Sequence, residues 1–78
     1  MPNPKPSTGW RVTNQREQHY RINGRIVGKI TRPPGYGLWT CWVRPHGNTH
    51  RPYWPIKWRI TIPSAREAVE HYFFKDPS

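Results

Sequence analysis

Four short stretches of this chain alternate with period two, and few architectures accommodate such a pattern. In one phase fall His19, Arg21, Arg25, Lys29, Thr31, Thr40, Trp42, Arg44, Lys57, Arg59 and Thr61. In the other fall Tyr20, Ile22, Ile26, Ile30, Trp39, Cys41, Val43, Trp58, Ile60 and Ile62. Successive side chains of a strand point to opposite faces. The pattern predicts an antiparallel sheet with one oily face and one cationic face that carries Trp42.

The punctuation between the stretches agrees. Asn23-Gly24 separates Gln18–Ile22 from Arg25–Arg32, and Asn-Gly between alternating runs is the strongest short-range hairpin signal. Pro33-Pro34-Gly35-Tyr36-Gly37 forms the next turn, before the aromatic strand Leu38–Arg44. Residues 45–55, PHGNTHRPYWP, are a long irregular loop, and Ile56–Ile62 is a fourth strand. Trp10–Thr13 reads as a short edge strand or as a cover for the core. Gly28 lies between Ile26 and Ile30, where the missing side chain admits a large neighbour such as Trp39 or Trp58.

After the last strand the period changes. Ser64 and Glu67 have capping-box spacing, and Ala65, Ala68, Val69, Tyr72 and Phe73 follow at one-face helical spacing. A helix over 64–74 is the available cover for the oily sheet face, since such a face must be buried. The expected class is therefore α+β: a small twisted antiparallel sheet of 3–4 strands, with a short extra edge strand at most, covered on one side by a C-terminal helix. Residues 1–9, MPNPKPSTG, read as a flexible proline-rich tail, and residues 10–75 as one domain.

Charge narrows the function. The formal net charge is +9. Apart from Glu17, every acid lies in the last stretch, as Glu67, Glu70 and Asp76. The sheet-forming part is strongly basic, and such a field draws polyanions. No apolar run approaches the roughly 20 residues of a membrane span. The single cysteine gives no disulfide framework, and the proline-rich leader does not resemble a secretory signal. A reducing cytoplasm is the expected compartment.

The candidate site is the cationic face. Arg21, Arg25, Lys29, Arg44, Lys57 and Arg59 would contact phosphates or base edges, Trp42 would stack or pack, and Arg32 and Arg51 would assist from loops. The expected function is nucleic-acid binding, DNA ahead of RNA, without catalysis, cofactor or metal. Zinc needs about four nitrogen or sulfur ligands, and Cys41, His46 and His50 supply fewer, with Cys41 aimed at the core. A Cys41–His46 nucleophile would need an exposed thiolate. In the 45–55 loop, Tyr53 and Trp54 either fold back as a small cluster, or His50 and Arg51 reach out as a finger.

From Gly37-Leu-Trp39 through Val43-Arg44, and again over Trp58-Arg-Ile-Thr61-Ile62-Pro-Ser64-Ala65-Arg-Glu67-Ala68, the order resembles the arm-binding domains of phage integrases and the plant ethylene-response-factor domains. These have three strands and a packing helix, and lay the sheet in the DNA major groove. The resemblance covers about half the chain and implies a DNA-contacting role for Arg44. Trp58 aligns with a tryptophan that such domains turn toward DNA, but alternation puts it in the core, and Ile56 stands where they have an arginine. In size and composition the chain also resembles small phage and mobile-element proteins. That implies the alternative of an inhibitor or adaptor docking on an acidic surface of a host or defence protein.

Overall fold

The computed structural model describes residues 7–74. Of the expected tail, residues 1–6 lie outside them, whereas Thr8 and Gly9 belong to the first strand. Five strands, β1 (Thr8–Asn14), β2 (Glu17–Ile22), β3 (Arg25–Thr31), β4 (Trp39–Val43) and β5 (Trp54–Arg59), precede one helix, α1 (Ile62–Phe73). The strands form one antiparallel meander in the order β1-β2-β3-β4-β5. The α+β class stands, but with five strands: the stretch around Trp10 is a full seven-residue strand.

The turns follow from their residues. Asn23 and Gly24 adopt φ of 52° and 81°, the left-handed pair that a two-residue hairpin needs. At Pro33–Tyr36 the Tyr36 amide donates to Pro33 O at 3.1 Å, and Gly35 takes φ 81°, as a turn with proline then glycine at its centre requires.

α1 lies across β3, β4 and β5. Tyr20, Val27, Ile30, Trp39, Cys41 and Val43 form the core with Ala65 and Val69 of the helix. At Gly28 the layers meet closely: a Cβ there would lie 2.6 Å from Val69 Cγ1 and 3.7 Å from Phe73 Cε2. The neighbour admitted by the glycine is thus the helix, not Trp39 or Trp58. The helix also begins earlier than the capping-box spacing implies. Thr61 is the N-cap, its hydroxyl accepting from the Ser64 amide at 3.3 Å, and Pro63 occupies the first turn, where its missing N–H leaves no bond unmade.

Three register shifts interrupt the sheet, one of them between Val12 and Asn14 at the end of β1, and the other two redistribute side chains of β3 and β5 between the faces. In β3, Tyr20 pairs with Gly28 but Arg21 pairs with Ile26, so Val27 is an extra residue. A bulge of this kind resets the alternation. Val27 joins the core, Ile26 moves to the open face opposite Arg21, and Arg25 moves to the helix side opposite Ile22. In β5, Cys41 pairs with Lys57 but Trp42 pairs with Pro55, so Ile56 is extra. Lys57 therefore shares the face of Cys41, Arg59 that of Trp39, and Trp58 that of Thr40.

This reverses the expected phase of the last strand. Trp58 is 58% and Ile60 75% exposed, while Lys57 and Arg59 stand beside Ser64, Glu67 and His71 of α1. The reason is position. β5 is an edge strand, and Trp39, Cys41, Val43 and the helix already fill the core beside it. Its helix-side positions are a flank from which long cationic side chains still reach water. Of β5, Ile56 packs on the core. Ile62, expected in the strand, lies in the first turn of α1 and packs on the core from there.

Candidate nucleic-acid interface

Residues paired across an antiparallel sheet share a face, so the register defines the open side. One row runs Arg11, His19, Lys29, Trp42, Pro55 from β1 to β5. A parallel row runs Asn14, Glu17, Thr31, Thr40, Trp58. Arg21 and Ile26 lie beyond the first row on one side. Arg44 follows Trp42 by two residues and projects the same way.

The middle of this face is organised around Tyr53, which the 45–55 loop brings over the sheet. Lys29 Nζ lies 4.4 Å from the Tyr53 ring centroid, and Arg44 Cζ lies 4.5 Å from it. Lys29 is also 5.6 Å from the Trp42 ring. Trp42 is half-buried and donates its indole N–H to Thr31 Oγ1 at 2.9 Å. Arg44 donates from Nη1 to Ile26 O at 3.2 Å. Cations over aromatic faces are held by the ring quadrupole. Burial pushes the Tyr53 hydroxyl above its ordinary pKa, against the lowering effect of Arg44 and with a small raising effect of Glu17.

The loop reaches this position through tight local structure. Pro45–Gly47 form a short 3-10 turn in which His46 takes φ 57°, and Asn48 Oδ1 accepts from the His50 amide at 2.9 Å. His46, His50 and Arg51 remain exposed. Tyr53 is the half of the expected cluster that folds back. Trp54 instead opens β5 and is 57% exposed.

Among the described residues the only ion pair is His19 with Glu17, at 2.6 Å. Arg11, Arg21, Lys29 and Arg44 therefore share the open face without a carboxylate partner. Arg21 and Arg44 are half-buried, and each has an enclosed Nε–H with no hydrogen-bond partner. Their stems thus pack down on the sheet.

Of the nine residues expected at the site, Arg21, Lys29, Trp42 and Arg44 come together. Arg25 lies on the helix side, near Ile22, Val27 and Phe73. Arg32 lies just past the end of β3, its Cζ 5.5 Å from the ring of core residue Trp39. Lys57 and Arg59 flank α1, and Arg51 stays on the loop. Two members were missed. Arg11 had a signal in the sequence: if Trp10 covers the core from a strand, the next residue points the other way, and in the fold Trp10 does pack on Tyr20 with ring centroids 4.9 Å apart. Trp58 had none, because its exposure depends on the register of β5.

Cys41 is fully buried, its thiol donating to Ala65 O at 3.6 Å. Burial raises its pKa, with Arg59 and Lys57 pulling the other way. Among the described residues no three His, Cys, Asp or Glu side chains converge as a metal site, and no helix is long and apolar enough to cross a membrane. No family model, curated protein or solved structure matches this chain.

Proposed function

We propose that this protein binds nucleic acid, DNA ahead of RNA, through the open face of its sheet and without catalysing a reaction. One observation carries the reading: Arg11, Arg21 and Lys29 from three successive strands, with Arg44 just past the end of the fourth, share a face on which none is paired to a carboxylate among the described residues. A polyanion is the complement of such a surface. Lys29 and Arg44 are held in place by Tyr53, so less side-chain freedom is lost when a phosphate arrives.

The test is a binding titration over a salt series. Four phosphate contacts give a log–log slope of about −3 to −4, the smaller value for a single strand. Arg11→Glu and Arg21→Glu should each weaken binding and flatten the slope. Lys57→Glu and Arg59→Glu, on the helix flank, should do so far less. Equal effects from the two pairs would sink the assignment to the open face. The second reading, an adaptor docking on an acidic protein, is favoured by exposed Leu38, Trp58 and Ile60. Continuing the β4–β5 register by one residue sets Leu38 opposite Ile60, next to Trp58. Absence of binding to any polynucleotide would promote that reading.

A further inference from the structure

The nucleic-acid reading leaves open whether the ligand is a duplex or an unpaired strand, and the dimensions of the face bear on this. Neighbouring strands are about 4.8 Å apart. Arg11 on β1 and Arg44, just past the end of β4, are therefore about 14 Å apart across the sheet, and the five strands span about 19 Å between outer backbones. A B-form major groove is about 12 Å wide and admits a helix or a two-stranded ribbon. Spread over this width, the four cations match the phosphate backbones that flank a duplex groove more than the base edges within it.

Trp58 makes the second observation. It stands 58% exposed on the same face, paired across to Thr40 and in one row with Thr31. Its neighbours in that row are short and neutral, so the indole surface is not occupied by a cation as Tyr53 is. Lys29 lies two strands away and about two residues along, so phosphate-binding charge is about 10 Å across and about 7 Å along from the indole. Bases within a duplex stack on each other and offer an indole only their edges. An unpaired base offers its whole π face, and any base can stack in this way.

We infer that the open face binds single-stranded nucleic acid, an unpaired base stacking on Trp58 while Arg11, Arg21, Lys29 and Arg44 hold the adjoining phosphates. This rests on the nucleic-acid reading and narrows it.

The experiment compares labelled 20-nucleotide oligo-dT, 20-nucleotide oligo-U and a 20-base-pair duplex by fluorescence anisotropy at equal salt. It uses the full chain and its Trp58→Ala and Trp58→Phe variants, with far-UV circular dichroism to verify folding. Both single strands should bind at least about tenfold tighter than the duplex. Trp58→Ala should weaken single-strand binding by about ten- to a hundredfold, and Trp58→Phe by much less. Duplex binding should stay within about twofold in Trp58→Ala, because it rests on phosphate contacts. A preference between oligo-dT and oligo-U reflects the 2′-hydroxyl and the C5-methyl together, and either direction supports the inference. Duplex binding as tight as both single strands, or a Trp58→Ala effect that is absent or equal on all three ligands, overturns it and leaves the broader reading standing. No binding to any of the three overturns both.

Discussion

At the scale of single residues, two tryptophans with similar sequence surroundings have opposite roles. Trp39 and Trp58 each begin or continue an alternating run beside hydroxyl and cationic residues. Trp39 is 4% exposed and Trp58 58%. Trp39→Ala should cost roughly 3–5 kcal/mol, the usual figure for a buried large aromatic and much of what so small a domain has. Trp58→Ala should stay within about 0.5 kcal/mol, as surface changes do. Urea denaturation of the two variants is the measurement. A Trp58→Ala protein that loses as much as Trp39→Ala would mean that β5 is in the other phase. Gln18 illustrates a polar residue whose burial needs an explanation. It is 5% exposed and accepts from Arg66 Nε at 2.8 Å. The same guanidinium covers Trp10, with Cζ 5.5 Å from its ring. A buried amide oxygen without that donor would carry its full desolvation cost.

At the scale of elements, the helix and sheet are fitted to each other at Gly28. A methyl group there would overlap Val69 Cγ1 and press on the Trp42 carbonyl at 3.2 Å. Overpacking of this kind costs about 1–3 kcal/mol. Gly28→Ala should therefore destabilise the fold, although alanine normally suits a strand better than glycine. In a Val69→Ala background the penalty of Gly28→Ala should shrink, because the colliding methyl is gone. Contacting residues couple in this way, and a thermodynamic cycle of the four proteins measures it. Additive losses would show that α1 does not rest on β3 at this point. The bulges in β3 and β5 belong to the same scale. Val27 and Ile56 are each the extra residue at a register shift, and both point toward the helix layer.

At the scale of the whole molecule, burial couples three proton-binding groups to folding. It raises the pKa of Tyr20, Cys41 and Tyr53. The folded state then holds these protons more tightly than the unfolded chain does. Their contribution is fully present below the ordinary values and is lost as pH rises from those through the raised values of the folded state. The melting temperature should hold from neutral pH to near 9.0, the ordinary value of the thiol, and fall above it. In Cys41→Ala the fall should start closer to 10.0, the ordinary tyrosine value. A melting temperature that rises between those two values would contradict the burial of all three groups. Charge is also distributed at this scale. Cations occur on both sides of the sheet. On the helix side Arg66 is tied to Gln18, Arg32 stacks on Trp39, and Lys57 and Arg59 share their cleft with Glu67. On the open face Lys29 and Arg44 rest on Tyr53, and among the described residues its carboxylate, Glu17, is engaged by His19 and not by an arginine or lysine.

The class, the hairpin at Asn23-Gly24, the helical stripe of Ala65, Ala68, Val69, Tyr72 and Phe73, and the inward phase of Trp39, Cys41 and Val43 were all legible in the residues. Each rests on local chemistry: a backbone that tolerates positive φ, a repeat near 3.6, a repeat of two. The side taken by Arg25, Ile26, Lys57, Trp58 and Arg59 was decided by tertiary structure. A bulge has no residue signature of its own here. It forms where the neighbouring strand's register and the space under the helix favour one residue too many, and from that point every side chain changes face. Tyr53 was placed by the same level of organisation, because its partners Lys29 and Arg44 lie on different strands that only the assembled sheet brings within reach of one ring.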